Sequence, residues 1–128
     1  MAGIAGVTTA SAGSSVSCAV GAAGALKCRG SGSSGRVGNA TELAVNPTPQ
    51  AVIGLSSGIA SVAIGGIFSC AVTVGGSIRC WSGNNNGELG LGYFGYQVTP
   101  EDVSKITSGT AALAAGGFHV CALDVAAA

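Results

Sequence analysis

Charged residues are scarce in this chain. Only 8% of its 128 residues are charged, five of each sign, and with one histidine the formal net charge at neutral pH is zero. A protein that binds nucleic acid uses a basic surface to neutralise phosphates, and five lysines and arginines are too few to form one here. We therefore expect no nucleic-acid partner.

The lack of charge does not indicate disorder or a membrane protein. Disordered chains are poor in apolar residues, whereas 48% of this sequence is hydrophobic. Two uncharged stretches, 1–26 and 51–78, are long enough to cross a bilayer, but both are interrupted by glycine and serine and are poor in leucine. The sequence therefore predicts a folded chain with no membrane span.

Glycine, in contrast, is abundant. The chain has 23 glycines together with many serine, threonine, valine and isoleucine residues. Glycine weakens helix interiors, while β-branched residues favour strands. This composition indicates an all-β protein with many tight turns, although residues 101–106 could form a short helical turn.

The cysteines mark an internal repeat. Cys18, Cys70 and Cys121 follow one another at intervals of 52 and 51 residues. The segment GIASVAIGGIFSC (58–70) also aligns without a gap with GTAALAAGGFHVC (109–121). Such a period predicts a solenoid, propeller or array whose units pack against their neighbours. The approximate units are 1–17 (half a unit), 18–69, 70–120 and 121–128 (the start of the next hairpin).

The best-defined unit predicts a β-hairpin with a fixed register. Strands are expected over 59–64, 68–74 and 77–81. If Cys70 lies opposite Cys80, the loop is 74–76, and a three-residue loop of this kind needs a left-handed residue at its last position. Gly76 supplies that residue.

The first unit supports the same register. Placing Cys18 opposite Cys28 gives the loop 22–24, which again ends in glycine. Each cysteine pair is therefore expected to lie side by side on one face, at a separation suitable for a disulfide. Two readings stay open, since the pairs could also be reduced core residues. A metal site is disfavoured because the close Cys-x-x-Cys spacing of zinc sites is absent.

The second unit resembles a known repeat. The segment CAVTVGGSIRCWSGNNNGELGLG (70–92) is similar to the repeat of the regulator of chromosome condensation family. This resemblance implies β-propeller blades of four antiparallel strands, usually seven in a closed ring. At about fifty residues per unit this chain cannot close such a ring alone, so we expect an incomplete ring, either a fragment or an assembling subunit. The resemblance also implies structural packing roles, which fall here on Trp81, Leu89 and His119.

No catalytic constellation is apparent. His119 and Cys121 lie two residues apart on one strand at structural positions of the resembled repeat, so we expect no catalytic residue and no cofactor. The oxygen-rich segment 84–88 could bind calcium, but it lacks the usual carboxylate density and more readily forms a turn. We therefore expect no metal.

The best interaction candidates are Tyr93, Phe94 and Tyr96, because they lie in the variable connection between blades. These observations favour a non-enzymatic structural or protein-interaction module, whose partner is a protein or further copies of itself. Disulfides would indicate an extracellular or cell-surface location, and free thiols a cytoplasmic one. The alternative function is a regulatory propeller, such as a guanine-nucleotide exchange factor for a small GTPase.

Overall fold

The structure is a computed structural model, and it describes residues 6–13, 15–32, 35–40, 46–84, 89, 95, 97–103, 108–117 and 119–124. Strands in these residues form three antiparallel sheets: the first blade (β1–β4), the second blade (β5–β8) and a third sheet (β9 and β10). The strands are β1 (Thr9–Ala12), β2 (Val16–Val20), β3 (Leu26–Gly30), β4 (Asn46–Ala51), β5 (Ile59–Ile64), β6 (Phe68–Thr73), β7 (Ile78–Ser82), β8 (Gln97–Asp102), β9 (Thr110–Ala115) and β10 (Val120–Asp124).

Each blade is a four-stranded meander in which strands pair in chain order. This all-β architecture of four-stranded antiparallel sheets confirms the predicted fold class. Nothing helical in the described ranges has the length and apolarity needed to cross a bilayer.

The hairpin register predicted from the cysteines is confirmed in the second blade. Cys70 is the cross-strand partner of Cys80. The Thr73 N–H donates to the Ser77 carbonyl at 2.9 Å, which leaves a loop of residues 74–76. Gly76 closes the loop with a φ of 85°, a left-handed conformation that glycine adopts without a Cβ clash.

The first blade repeats this hairpin. Cys18 is opposite Cys28, and the Gly21 N–H donates to the Ala25 carbonyl at 2.9 Å. Gly24, the last loop residue, has a φ of 72°. The same register therefore occurs in two copies whose loop sequences differ.

Prolines lie in edge strands. β4 and β8 contain Pro49 and Pro100 and are each the outermost strand of their blade. An edge strand tolerates proline because one row of its backbone groups has no ladder partner. Glu101 and Asp102 do not form the short turn that the sequence allowed over 101–106, because they extend β8 and pair with β7. Residues 104–107 lie outside the described residues.

Buried side chains lie between the sheets in two layers. The layer between the blades contains Val16, Cys18 and Leu26 of the first blade, packed with Val62 and Trp81 of the second. The layer between the second blade and the third sheet is built on buried Phe68, Cys70, Ile78, Cys80 and Leu89, against which Leu113, Ala115 and Val120 pack. Each sheet thus uses its neighbour to bury an apolar face, as the repeat predicted.

Candidate interaction surfaces

Each blade has one disulfide, which links the two strands of its central hairpin. The two disulfides join Cys18 to Cys28 and Cys70 to Cys80, with a Cα–Cα distance of 4.1 Å in both. All four cysteines are fully buried. The predicted disulfide pairs are therefore present, and they lie between sheets rather than at the surface.

Trp81 joins the second blade to the first. Its indole ring is fully buried, and its Nε1–H donates to the carbonyl of Arg36 at 3.1 Å. The ring also packs against Gly38, where an added Cβ would be 2.7 Å from the indole nitrogen. The resemblance implied a packing role for Trp81, and the contact takes the form of a tryptophan seated on the loop that follows β3.

Leu89 is also fully buried and belongs to the layer that faces the third sheet. Its position in the repeat corresponds to Val37, which is equally buried in the layer between the blades. Both residues follow the third strand of their blade, so this loop contributes an apolar side chain to the next interface in each blade.

His119 departs from the packing role that the resemblance implied. Its side chain is exposed. The imidazole instead lies over Gly116 of its own sheet, where an added Cβ would overlap the ring. Phe68 covers Gly65 in the same way in the second blade but is buried, because the third sheet packs against it. No described sheet lies beyond His119.

Asn84 anchors the long connection between β7 and β8. Its side chain is fully buried, and its Oδ1 accepts a hydrogen bond from the Leu89 N–H at 3.1 Å. Its backbone carbonyl accepts a second hydrogen bond from the Gly95 N–H at 3.2 Å. Asn84 therefore acts as a turn residue, as the composition of this segment favoured. Residues 85–88 of the candidate calcium segment lie outside the described residues.

Tyr93, Phe94 and Tyr96, the predicted interaction residues, lie outside the described residues. The segment that contains them connects Ser82 at the end of β7 to Gln97 at the start of β8. Both strands belong to the second blade, so the connection lies within a blade, and its expected position between blades is wrong. Leu89 and Gly95 of this segment both donate backbone hydrogen bonds to Asn84, so the connection begins at a buried anchor residue. Sequence reasoning missed Asn84 as the anchor of this connection, although the asparagine is part of the resembled repeat.

The first blade has a polar face on the side away from the second blade. Ser17, Lys27 and Arg29 alternate along β2 and β3 with the buried cysteines and therefore point to this side. Arg29, which is exposed, occupies the position that Trp81 has in the second blade. Two shallow depressions of about 300 and 320 Å³ adjoin Arg29. At the repeat position where the second blade has the Trp81 ring, this surface therefore presents the hydrogen-bond donors of Arg29.

Reactive side chains are dispersed over the described part of the chain. No group of three or more His, Cys, Asp or Glu residues there could hold a metal ion. Cys121 is a free thiol at the surface of β10. The chemistry that these residues offer is therefore thiol chemistry at Cys121 and hydrogen bonding at Arg29.

The fold is similar to that of solved propeller proteins. Human WBSCR16 matches with a TM-score of 0.83 at 22% identity, over 97% of this chain and 32% of its own. Prp20p from Saccharomyces cerevisiae, the yeast RCC1, matches with a TM-score of 0.82 at 20% identity, over 95% and 32%, and it binds Gsp1p and histones. The ectodomain of the Physcomitrella patens receptor kinase CR4 matches with a TM-score of 0.51 at 19% identity, over 94% and 28%.

These similarities confirm the fold that the repeat implied. The chain has a β-propeller repeat fold of the regulator of chromosome condensation type. No protein-family model matches the sequence. The chain spans about a third of the length of the solved structures that it matches first.

Proposed function

We propose that this set of propeller blades is a non-enzymatic structural and protein-interaction module that works within a larger ring. One observation carries the proposal: two disulfide-closed blades pack against each other through a buried apolar layer, and the long connection between β7 and β8 is anchored at Asn84. Prp20p, which has the same fold, binds the proteins Gsp1p and histones. Propeller folds support many functions, so the role here rests on the surfaces of this chain.

The proposal includes an extracellular or cell-surface location. Buried disulfides in two successive blades are typical of proteins that fold in an oxidising compartment. The similarity to a receptor-kinase ectodomain supports the same location.

A partner protein is favoured over further copies of the chain. The outer face of the first blade carries Ser17, Lys27 and Arg29, whereas β10 at the other end exposes Cys121 and Leu123. A polar, cationic face and an apolar face do not reproduce the apolar layer seen between the two blades. Head-to-tail stacking of identical copies would therefore make a poorer interface than the internal one.

The connection between β7 and β8, which contains Tyr93, Phe94 and Tyr96, is the proposed contact region. Site-specific photocrosslinking tests this proposal. A photoreactive phenylalanine analogue replaces Phe94 in one variant and Val74 in a matched control. Val74 is 79% exposed in the β6–β7 turn, at the opposite end of the sheet. In cells that produce the protein, we expect a discrete crosslinked product at position 94 that is absent at position 74. Equal labelling at both positions would contradict a specific contact through this connection.

A regulatory propeller remains the alternative, favoured by the similarity to Prp20p, which binds Gsp1p. The resemblance implies guanine-nucleotide exchange on a small GTPase for this class. Release of a fluorescent guanine nucleotide from a small GTPase, followed with and without the chain, distinguishes the two roles. Catalysed release would place the regulatory role first.

A further inference from the structure

Two triplets of the form Asn-x-Thr occur in the chain. They are NAT (39–41) and NPT (46–48), and none of the asparagines at 84–86 is followed two positions later by serine or threonine. In secreted proteins an Asn-x-Ser/Thr triplet is the acceptor sequence for N-linked glycans unless its middle residue is proline. Only the first triplet meets this condition.

The second triplet is also unsuitable as an acceptor in the folded chain. Asn46 begins β4 and is 3% exposed, and its Nδ2 donates a hydrogen bond to the Gly30 carbonyl at 3.2 Å. Pro47 favours an extended conformation for the residue before it, which suits a strand rather than a bend. The amide of Asn46 is therefore used inside the sheet.

Asn39 lies in a different setting. It is half-buried in a bend of the loop that follows β3, and the next residue, Ala40, is exposed with a left-handed φ of 66°. The preceding residue, Gly38, is buried against the Trp81 ring. The chain thus turns from a buried contact at position 38 to an exposed residue at position 40. A surface loop of this kind accommodates a bulky, polar glycan. Thr41 lies outside the described residues.

The disulfides give an independent reason to consider a glycan at this loop. Both blades contain a buried disulfide, and such bonds form in an oxidising compartment such as the lumen of the endoplasmic reticulum. N-linked glycans are attached to secreted proteins in the same pathway. The cysteine pairs and the triplet therefore indicate one route through the cell.

We propose that Asn39 is a glycosylation site whose Nδ2 carries an N-linked oligosaccharide. The donor is an oligosaccharide linked to a polyprenyl diphosphate, and an oligosaccharyltransferase of the secretory pathway catalyses the transfer. A bond forms between Nδ2 and the anomeric carbon, and the bond between that carbon and the diphosphate oxygen breaks. The amide loses one proton and the polyprenyl diphosphate leaves, so no oxidant or reductant is needed. The inference rests on the extracellular location included in the proposed function.

Production of the full chain in the secretory pathway of a eukaryotic cell tests the site. Peptide N-glycosidase in heavy-oxygen water converts each glycan-bearing asparagine to labelled aspartate, which peptide mass spectrometry locates. We expect the label at Asn39 and none at Asn46, which is the matched control within the same chain. Absence of the label at position 39, or equal labelling at the two positions, would overturn the inference.

Two substitutions at Thr41 separate the triplet from other causes of modification. Thr41→Ala removes the hydroxyl that the acceptor sequence requires and should abolish the glycan. Thr41→Ser keeps a hydroxyl and should retain the glycan. A glycan that persists at Asn39 in Thr41→Ala would overturn the inference.

Trp81 reports whether the glycosylated chain keeps its fold. It is the only tryptophan in the sequence, and its ring packs on Gly38, next to the acceptor. The fluorescence emission maximum of the glycosylated chain should equal that of Thr41→Ala. A red shift confined to the glycosylated chain would overturn the inference, because the glycan would then be borne by chains in which this loop has left the interface.

The site and the proposed location can fail separately. Thiol labelling of the protein in the cells that naturally produce it measures whether the two cysteine pairs are oxidised. Free thiols there would contradict the extracellular location. Oxidised pairs together with an unmodified Asn39 would overturn the glycosylation site alone.

Discussion

At the scale of single residues, the end of the third strand shows how each blade accommodates a left-handed backbone. Gly30 has a φ of 120°, and Ser82, the equivalent residue, has a φ of 82°. The carbonyl of Ile67 accepts the Ser82 hydroxyl at 2.9 Å and the Gly83 N–H at 2.8 Å. A hydrogen bond at Ser82 thus offsets part of the strain that glycine avoids at position 30.

Substitution of Gly30 tests this requirement. An added Cβ at position 30 would overlap the carbonyl oxygen of Ser15, and the positive φ would add strain. We expect Gly30→Ala to lower the free energy of unfolding by about 2 kcal/mol, measured by urea denaturation. Gly117→Ala is the matched control, because its Cβ would meet nothing within 4 Å. Equal losses in the two variants would contradict a specific demand for glycine at position 30.

At the scale of elements, the hairpins are what the sequence predicted best. Two cysteine pairs with equal spacing and a glycine at the end of each loop determine a register, because shifting a strand by one residue would turn the cysteines to opposite faces. The bounds of β5 were predicted as observed, since this apolar run is limited by Gly58 and Gly65.

Features that depend on neighbouring sheets could not be predicted in the same way. His119 and Phe68 have the same local setting over a glycine, yet only Phe68 has a described sheet packed against it. Glu101 and Asp102 carry no strand signal of their own and extend β8 because β7 offers an edge. The role of Asn84 as the anchor of a loop depends on Leu89, which the chain brings back to it.

The disulfides give a second prediction at this scale. Both close loops of the same sequence separation, 10 residues, so the loss of conformational entropy in the unfolded chain should be alike. Replacing either pair by alanines in a Cys121→Ser background should cost about 2–3 kcal/mol of unfolding free energy. Urea denaturation of the two double variants measures the losses. A loss at one pair several times that at the other would show that native packing, rather than chain entropy, dominates.

At the scale of the whole molecule, the described sheets differ in how many neighbours they have. The second blade packs on the first blade through Val62 and Trp81 and on the third sheet through Phe68 and Ile78. The first blade and the third sheet each have one such layer. In a repeat protein, stability is roughly the sum of each unit and its interfaces with adjacent units. The second blade should therefore be the most stable part of the described chain.

Amide hydrogen exchange followed by mass spectrometry tests this gradient. We expect exchange to be slowest in β6 and β7, faster in β2 and β3, and fastest in β9 and β10, whose sheet has, among the described residues, two strands and one packed face. Trp81→Phe serves as an internal check, because it removes the hydrogen bond to the Arg36 carbonyl at the interface between the blades. It should accelerate exchange in both blades and leave the order of the three sheets unchanged. Uniform exchange across the sheets would mean that they unfold as one cooperative unit. The stability would then be a property of the assembled blades as a whole and not a sum over separate interfaces.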